Sequence, residues 1–219
     1  MYDVKFIPQI LKLTNNKVCI ALSSGCDSVS IAHFLKTKYP KIELSAFHYD
    51  HCLRPQNNDM LQAASKFCKD FDIAFDYDLR DVRMPCDKSE SALRTLRYKA
   101  MAGLGYVITG HHLDDATENY LYNCFSGTPE YLPIPLITEY EAFDLTIIRP
   151  FILTEKEDMR KYISDNNLES YIVEDETNVD ESYRRNWLRN NLIPQINEKG
   201  YNLKTVVRKR YEKHIKEKL

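Results

Sequence analysis

Short runs rich in β-branched and aromatic residues alternate along this chain with longer stretches whose apolar positions recur every three or four residues. The first compact run, Lys17-Val-Cys-Ile-Ala-Leu22, is too short for a helix and is flanked by turn-forming residues, so it reads as a buried strand. Residues 43–49, 73–77, 106–109 and 145–148 repeat the theme. Helical spacing covers about 28–38, 57–70, 89–103 and 113–125 between them. Strand and helix alternating in this way make βαβ units, and right-handed crossovers then give a parallel sheet covered on both faces. The expected fold is α/β: a doubly wound, mainly parallel five-stranded sheet with a helical C-terminal extension. Thr154-Glu-Lys-Glu157 has the spacing of a capping box, opening a helix that runs to about Asn166. Pro194 is expected to end or kink the helix through Trp187 and Leu192. Residues 127–144, with Pro129, Pro133 and Pro135, form the longest loop-like segment and read as a lid or substrate loop.

At 219 residues the chain can bury one substantial core, here divided into a domain over 1–194 and a basic helical tail over 195–219. No run approaches the roughly 18 apolar residues of a membrane span. The N-terminus lacks the layout of a secretory signal, so a soluble, cytoplasmic protein is expected. Cys19, Cys26, Cys52, Cys68, Cys86 and Cys124 form no CxxC pair and no regular spacing. That argues against a zinc ribbon, a thioredoxin-like site or a disulfide framework, and for free thiols. The net charge of −2 does not advertise a nucleic-acid binder. Its distribution is uneven, however: the many Lys and Arg from Arg184 onward are opposed by Glu198, Glu212 and Glu217 alone. Such a segment can supply phosphate contacts or form the solvated face of a terminal helix, and charge by itself leaves both open.

Ser23-Ser24-Gly25-Cys26-Asp27-Ser28 follows the first strand and leads into a helix. In a doubly wound sheet this turn sits at the carboxyl edge, where ligands bind. A tight turn there directs backbone N–H groups and the positive end of the helix at an anion. Ser23 and Ser28 add hydroxyls. Asp27 repels phosphate unless it bridges through Mg²⁺ or holds the backbone instead. A plain helix start, capped by Asp27 or Ser28, is the alternative. The loop is not a Walker A motif, since no Gly-Lys-Ser/Thr follows at the required spacing.

Further along, His48-Tyr-Asp-His-Cys-Leu-Arg54 closes the second strand. Glu90, Arg94, Arg97 and Tyr98 fall at i, i+4, i+7 and i+8 of a helix, on one face, where two guanidiniums suit polyphosphate or RNA. Thr109-Gly-His-His-Leu-Asp-Asp-Ala-Thr-Glu-Asn119 puts Gly110, His111, His112, Asp114, Asp115 and Glu118 at a strand end and the helix start after it. Carboxylates there are ordinary caps, but paired with two histidines at the ligand edge they can also orient a nucleotide or move a proton. Residues 173–189 are an acidic loop leading into a basic helix, readable as a substrate-holding element or a surface ion-pair patch.

Together these elements resemble tRNA(Ile)-lysidine synthetases of the PP-loop ATP pyrophosphatases. The first loop is similar to Ser-Gly-Gly-x-Asp-Ser, with Ser24 where a glycine is usual. The second resembles His-Val-Asn-His-Gly-Leu-Arg through His51 and Arg54, with Asp50 for asparagine and Cys52 for glycine. His48 itself reads as a strand histidine. Residues 90–98 fit Glu-x-x-x-Arg-x-x-Arg-Tyr, and 109–119 resemble Ala-His-His-x-Asp-Asp-Gln-x-Glu-Thr. Glu174, Asp175, Asn178, Asp180, Arg185, Asn186 and Arg189 match the last element. The resemblance spans about 18–194 and implies an ATP-consuming ligase acting with Mg²⁺, free lysine and isoleucine tRNA with a CAU anticodon. It implies nucleotide contacts from Ser23, Ser24, Gly25, Cys26, Asp27, Ser28, His51, Arg54, Arg94, Arg97 and Gly110, with Asp27 a possible metal ligand. It implies catalysis by His111, Asp114, Asp115 and Arg185. Substrate handling falls to Glu118, Glu174, Asp175, Asn178, Asn186 and Arg189. A sulfur-using relative, or a non-catalytic RNA- or nucleotide-binding relic, are the competing readings.

Overall fold

The computed structural model describes residues 2, 7–53, 57–83, 87, 89–128, 132–173 and 184–218, the side chains of Glu90 and Lys218 excepted. Its sheet is built from β1 (Lys17–Ala21), β2 (Glu43–Asp50), β3 (Ala74–Leu79), β4 (Gly105–Ile108), β5 (Ile137–Tyr140) and β6 (Leu145–Ile148). The order is β3-β2-β1-β4-β6-β5, parallel throughout except that β5 pairs antiparallel with β6. Alternate residues of the central strands feed two cores. Val18, Ile20, Leu44, Ala46, Ile108 and Ile148 pack on one face, and Cys19, Phe47, Val107, Leu145 and Ile147 on the other. That period of two explains why these strands are apolar at nearly every position: both faces are covered. At the edge, β3 is mostly exposed and carries Asp76 and Asp78, charges that discourage further strand pairing.

The helices α2 (Cys26–Lys38), α3 (Asn57–Asp70), α4 (Glu90–Ala100), α5 (Leu113–Phe125) and α6 (Lys156–Asp165) fill the expected places, and α1 (Ile7–Leu13), which was not expected, precedes β1. From α2, Val29, Ile31 and Leu35 enter the larger core together with Met159 and Ile163 of α6, while Tyr98 of α4 and the adjoining Met101 enter the smaller. No described helix is long and apolar enough to cross a membrane.

The strand count and the lid fail here, and of the two outcomes offered for Pro194 the helix end fails. The sheet has six strands among the described residues, and the sixth lies inside the supposed lid. Residues 137–140 are too short to stand out beside Pro133 and Pro135, but a tight turn returns them beside β6, with Asp144 at a φ of 47°. Leu132, Ile134 and Leu136 are buried, so the described part of this segment is core, not lid. Nor does the helix stop at Pro194. After α7 (Arg184–Trp187) the backbone widens into a π-type turn over Leu188–Leu192, then continues as α8 (Ile193–Glu198). Pro194 sits in the first turn of α8, where its missing N–H costs little.

The final helix, α9 (Leu203–Lys218), is fastened to the domain. Val207 and Tyr211 are fully buried in the larger core. The Tyr211 hydroxyl donates to the Ile134 carbonyl at 2.7 Å and accepts from the Ile134 amide at 3.0 Å. Tyr211→Phe leaves both buried backbone groups short of a partner and is expected to cost about 2–3 kcal/mol. Thermal unfolding should show this as a midpoint lower by roughly 4–12 °C.

Candidate functional site

The loop Ser23–Ser28 lies between the carboxyl ends of β1 and β4, where strand order reverses and a crevice opens. Gly25 occupies the cap position of α2 with extended backbone, so neither Asp27 nor Ser28 caps it. The Ser23 amide donates to Ser28 Oγ at 3.1 Å, the two hydroxyls lie 3.2 Å apart, and Ser28 Oγ donates to the Gly25 carbonyl at 3.1 Å. Across the crevice, a Cβ on Gly110 would come within 3.2 Å of Asp27 Cβ; glycine there lets the end of β4 approach the loop.

Ser23, Asp27 and Ser28 share a cavity of about 420 Å³ with His51, Arg97, Gly110, His111, Asp115 and Arg185. Phe47, Leu93 and Met101 give it an apolar wall, and His48 also lines it. His48 is the strand histidine expected: it is buried, its Nδ1 lies 2.8 Å from the Leu22 carbonyl oxygen, and burial lowers its pKa. His111 Nδ1 is 2.9 Å from the Thr109 hydroxyl, so Nε2 is the nitrogen that remains for a ligand. Burial, reinforced by the guanidiniums of Arg149, Arg97 and Arg94, pushes the His111 pKa well below its ordinary value. The imidazole is neutral and sits in a positive field, which suits an anionic ligand.

His112 behaves differently from its neighbour. It is buried and caps α5 reciprocally with Asp115: its Nδ1 accepts from the Asp115 amide at 3.3 Å, and its own amide donates to Asp115 Oδ2 at 3.0 Å. Asp114 turns away from the cavity. Its Oδ2 accepts from the Lys156 amide at 2.8 Å and its Oδ1 meets the Lys204 ammonium at 2.7 Å. Burial works against the Asp114 carboxylate, but Lys204 and the Lys156 amide outweigh it and hold its pKa below the usual value. This replaces the capping box expected at Thr154 and Glu157. Residue 155 occupies the cap position without a side-chain bond, and the first amide of α6 is capped from another helix. Lys156 in turn reaches back with its ammonium onto Asp27.

Other expected residues also hold each other. Glu118 is buried and receives both Arg189 Nε at 2.5 Å and Nη2 at 3.0 Å, joining α5 to the C-terminal helices. Burial raises the Glu118 pKa, with Arg189 opposing. Arg185 Nη2 donates to Asn119 Oδ1 at 3.1 Å beside the cavity, and Asn186 is buried. Ser24, Gly25, Cys26, Arg94, Asp114, Glu118, Asn186 and Arg189 do not line the cavity, although Arg94 acts on it through charge. Arg54, Glu174, Asp175, Asn178 and Asp180 lie outside the described residues.

A model of the PP-loop domain family matches residues 3–196. This chain belongs to that family. It is 27% identical over 203 residues to a tRNA(Ile)-lysidine synthase from Histophilus somni (strain 2336), covering 90% of this chain and 47% of that protein. A tRNA(Ile)-lysidine synthase from Bdellovibrio bacteriovorus is 31% identical over 196 residues, covering 84% of this chain and 58% of that protein. The chain thus spans about half the length of the curated relatives it matches. A U34-tRNA thiolase from Methanococcus maripaludis, solved with its iron–sulfur cluster, superposes with a TM-score of 0.69 over 91% of this chain and 72% of that one. At 17% identity this is a likeness of fold.

The two departures at glycine positions, Ser24 in the loop and Cys52 in the second element, now have a geometry. Ser24 and Cys52 both adopt the left-handed conformation, with φ of 56° and 51°. For a residue with a Cβ this costs roughly 1–2 kcal/mol. Ser24 is held by its hydroxyl donating to the Met60 carbonyl at 2.7 Å and by its carbonyl accepting from the Val173 amide at 2.9 Å. Cys52 is held by Asp50, whose Oδ1 accepts from the Cys52 amide at 2.6 Å and from the Asn57 side chain. Lys156 and Lys204 received no site role from the sequence, whereas Arg149, with Pro150, already fits the family pattern. Lys156 was hidden in the false capping box, and Lys204 in the tail's charge run.

Cys52→Gly keeps the Asp50 bond and removes the strain, so it is expected to raise the thermal midpoint by about 2–4 °C. Lys204→Met should destabilise the domain by about 2 kcal/mol at neutral pH. Because the folded Asp114 pKa lies below 3.8, its contribution is complete above that value and is lost as pH falls through the folded pKa. Denaturant titrations of wild type and variant should therefore converge on acidification.

Proposed function

We propose that this chain ligates lysine to C2 of the wobble cytidine, position 34, of isoleucine tRNA with a CAU anticodon, at the expense of ATP. The observation that carries this reading is a single cavity bringing Ser23, Asp27 and Ser28 face to face with His111, Asp115 and Arg185. The curated relatives named tRNA(Ile)-lysidine synthase support it. The cytidine O2 attacks the α-phosphorus of ATP and pyrophosphate leaves. The lysine ε-amine then attacks C2, loses a proton, and AMP departs with the original oxygen. No enzyme nucleophile is needed, so positioning and charge compensation carry the catalysis.

The loop amides and the hydroxyls of Ser23 and Ser28 receive the pyrophosphate. Asp27, with these hydroxyls, offers oxygen ligands that fit Mg²⁺ held jointly with phosphates, and the ion would neutralise polyphosphate charge. Neutral His111 orients the reacting oxygen through Nε2. Asp115, across the cavity, takes up the lysine ammonium and its proton. Arg185 steadies the departing AMP, and Glu174, Asp175, Asn178 and Asn186 handle lysine or cytidine. The setting is a soluble, cytoplasmic one.

A sulfur-transferring role needs a reactive thiolate, which Cys19, Cys26, Cys52 and Cys68 do not favour. Burial pushes Cys19 to about 11 and Cys68 to about 12, and raises Cys26 and Cys52. Incubating the protein with ATP, Mg²⁺, lysine and cytidine-34 isoleucine tRNA should yield lysidine on nucleoside analysis. Asp115→Asn, which retains an oxygen to cap α5, should cut AMP release by roughly 10²–10⁴-fold while the fold persists. A thiolated base, or wild-type turnover in Asp115→Asn, would remove this reading.

A further inference from the structure

At position 24 this chain has a serine in the left-handed conformation, where the PP-loop pattern has a glycine. Glycine permits that conformation among many others; a serine bonded through its side chain imposes it. We propose that Ser24 is a positioning residue: its hydroxyl latches the loop to α3 in the nucleotide-receiving conformation before any ligand arrives, so that ATP meets an already ordered cradle. The inference rests on the nucleotide reading above and adds to it how this chain orders its loop.

Ser24 is pinned from two sides. It is fully buried, and its Oγ donates to the Met60 carbonyl of α3 at 2.7 Å, which fixes Cα and Cβ. Its own carbonyl accepts from the Val173 amide at 2.9 Å, which fixes the plane of the peptide joining Ser24 to Gly25. The Gly25 amide lies in that plane, 3.4 Å from the Oγ of Ser23, a cavity-lining residue, so its direction is set from outside the loop. Both anchors lead to α3. Two residues before Val173, the Tyr171 hydroxyl donates to Asp70 at 2.8 Å, and its ring packs against Phe67 and Phe71. The first turn of α3 is tied down in turn by Asn57, which donates to Asp50 at the end of β2. Asn57 and Met60 also line the cavity. One hydroxyl thus joins the loop to the cavity wall. Its left-handed strain falls on the free protein, and the loop order gained there is order that ligand binding need not supply.

The test is calorimetric titration of ATP with Mg²⁺, without tRNA, into the full chain, Ser24→Gly and Ser24→Ala, at a temperature where circular dichroism shows them folded. Ser24→Gly loses the bond and the strain together, so its thermal midpoint should stay within about 3 °C of wild type. Its affinity should nevertheless fall about 3–10-fold, the factor by which the receiving conformation is depopulated. Ser24→Ala keeps the strain without the bond and should bind more weakly still; if it does not fold, Ser24→Gly decides. Hydrogen exchange over residues 23–26 of the ligand-free protein, read by mass spectrometry, should be faster in Ser24→Gly than in wild type, and ATP should slow it to the wild-type level. Equal affinity in Ser24→Gly and wild type overturns the inference and leaves the nucleotide reading intact. A loss of affinity with unchanged exchange overturns it too, because the hydroxyl would then act other than by ordering the loop. Failure of the wild type to bind ATP overturns both, whereas failure to form lysidine, assayed separately, removes only the ligase reading.

Discussion

Everything at the carboxyl edge of the sheet depends on how three helix N-termini share one small space. The first turns of α2, α5 and α6 meet there, with amides that have no partner within their own helix and with positive dipole ends. Asp27, Asp114 and Asp115 answer that positive charge, and the carboxylates in turn demand cations. Lys156 pairs with Asp27 and Lys204 with Asp114, while Asp114 also caps the amide of Lys156. Removing a partner from such a cluster leaves a half-buried charge unanswered, so the arrangement is all-or-none in a way a surface ion pair is not.

The same cluster separates residues that stand side by side in the chain. His111 and His112 are adjacent, yet one lines the cavity and the other is consumed in capping α5. Asp114 and Asp115 divide in the same manner. The helix decides this: successive residues differ by about 100° around its axis, so one carboxylate faces the crevice and its neighbour faces α6 and α9. A motif dense in ionisable groups is therefore part chemistry and part scaffold.

The tail shows a related economy. α9 lies beyond the stretch matched by the PP-loop family model, yet it buries Tyr211 against Ile134 and sends Lys204 to the base of α5. Its charges are split between roles: Lys204 and Arg208 meet Asp114 and Glu155 inside the domain, while Lys213 pairs along its own helix with Glu217. Whatever surface remains for a polyanion, part of the basic run is already spoken for by the fold.

The chain's local pattern determined the parallel strands, the helices between them and the place of the pyrophosphate loop at a strand end. Those features arise from period, turn chemistry and connection handedness, which are local or nearly so. It did not determine β5, because four residues among prolines acquire strand character only when β6 offers its edge. It did not reveal that Thr154 yields its capping role to Asp114, a residue 40 positions earlier, because a long-range carboxylate leaves no local spacing. Nor did it distinguish His111 from His112 or mark Lys156 as the partner of Asp27. Those assignments belong to the tertiary structure, since they depend on which groups must neutralise one another once three helix starts are brought to the same edge.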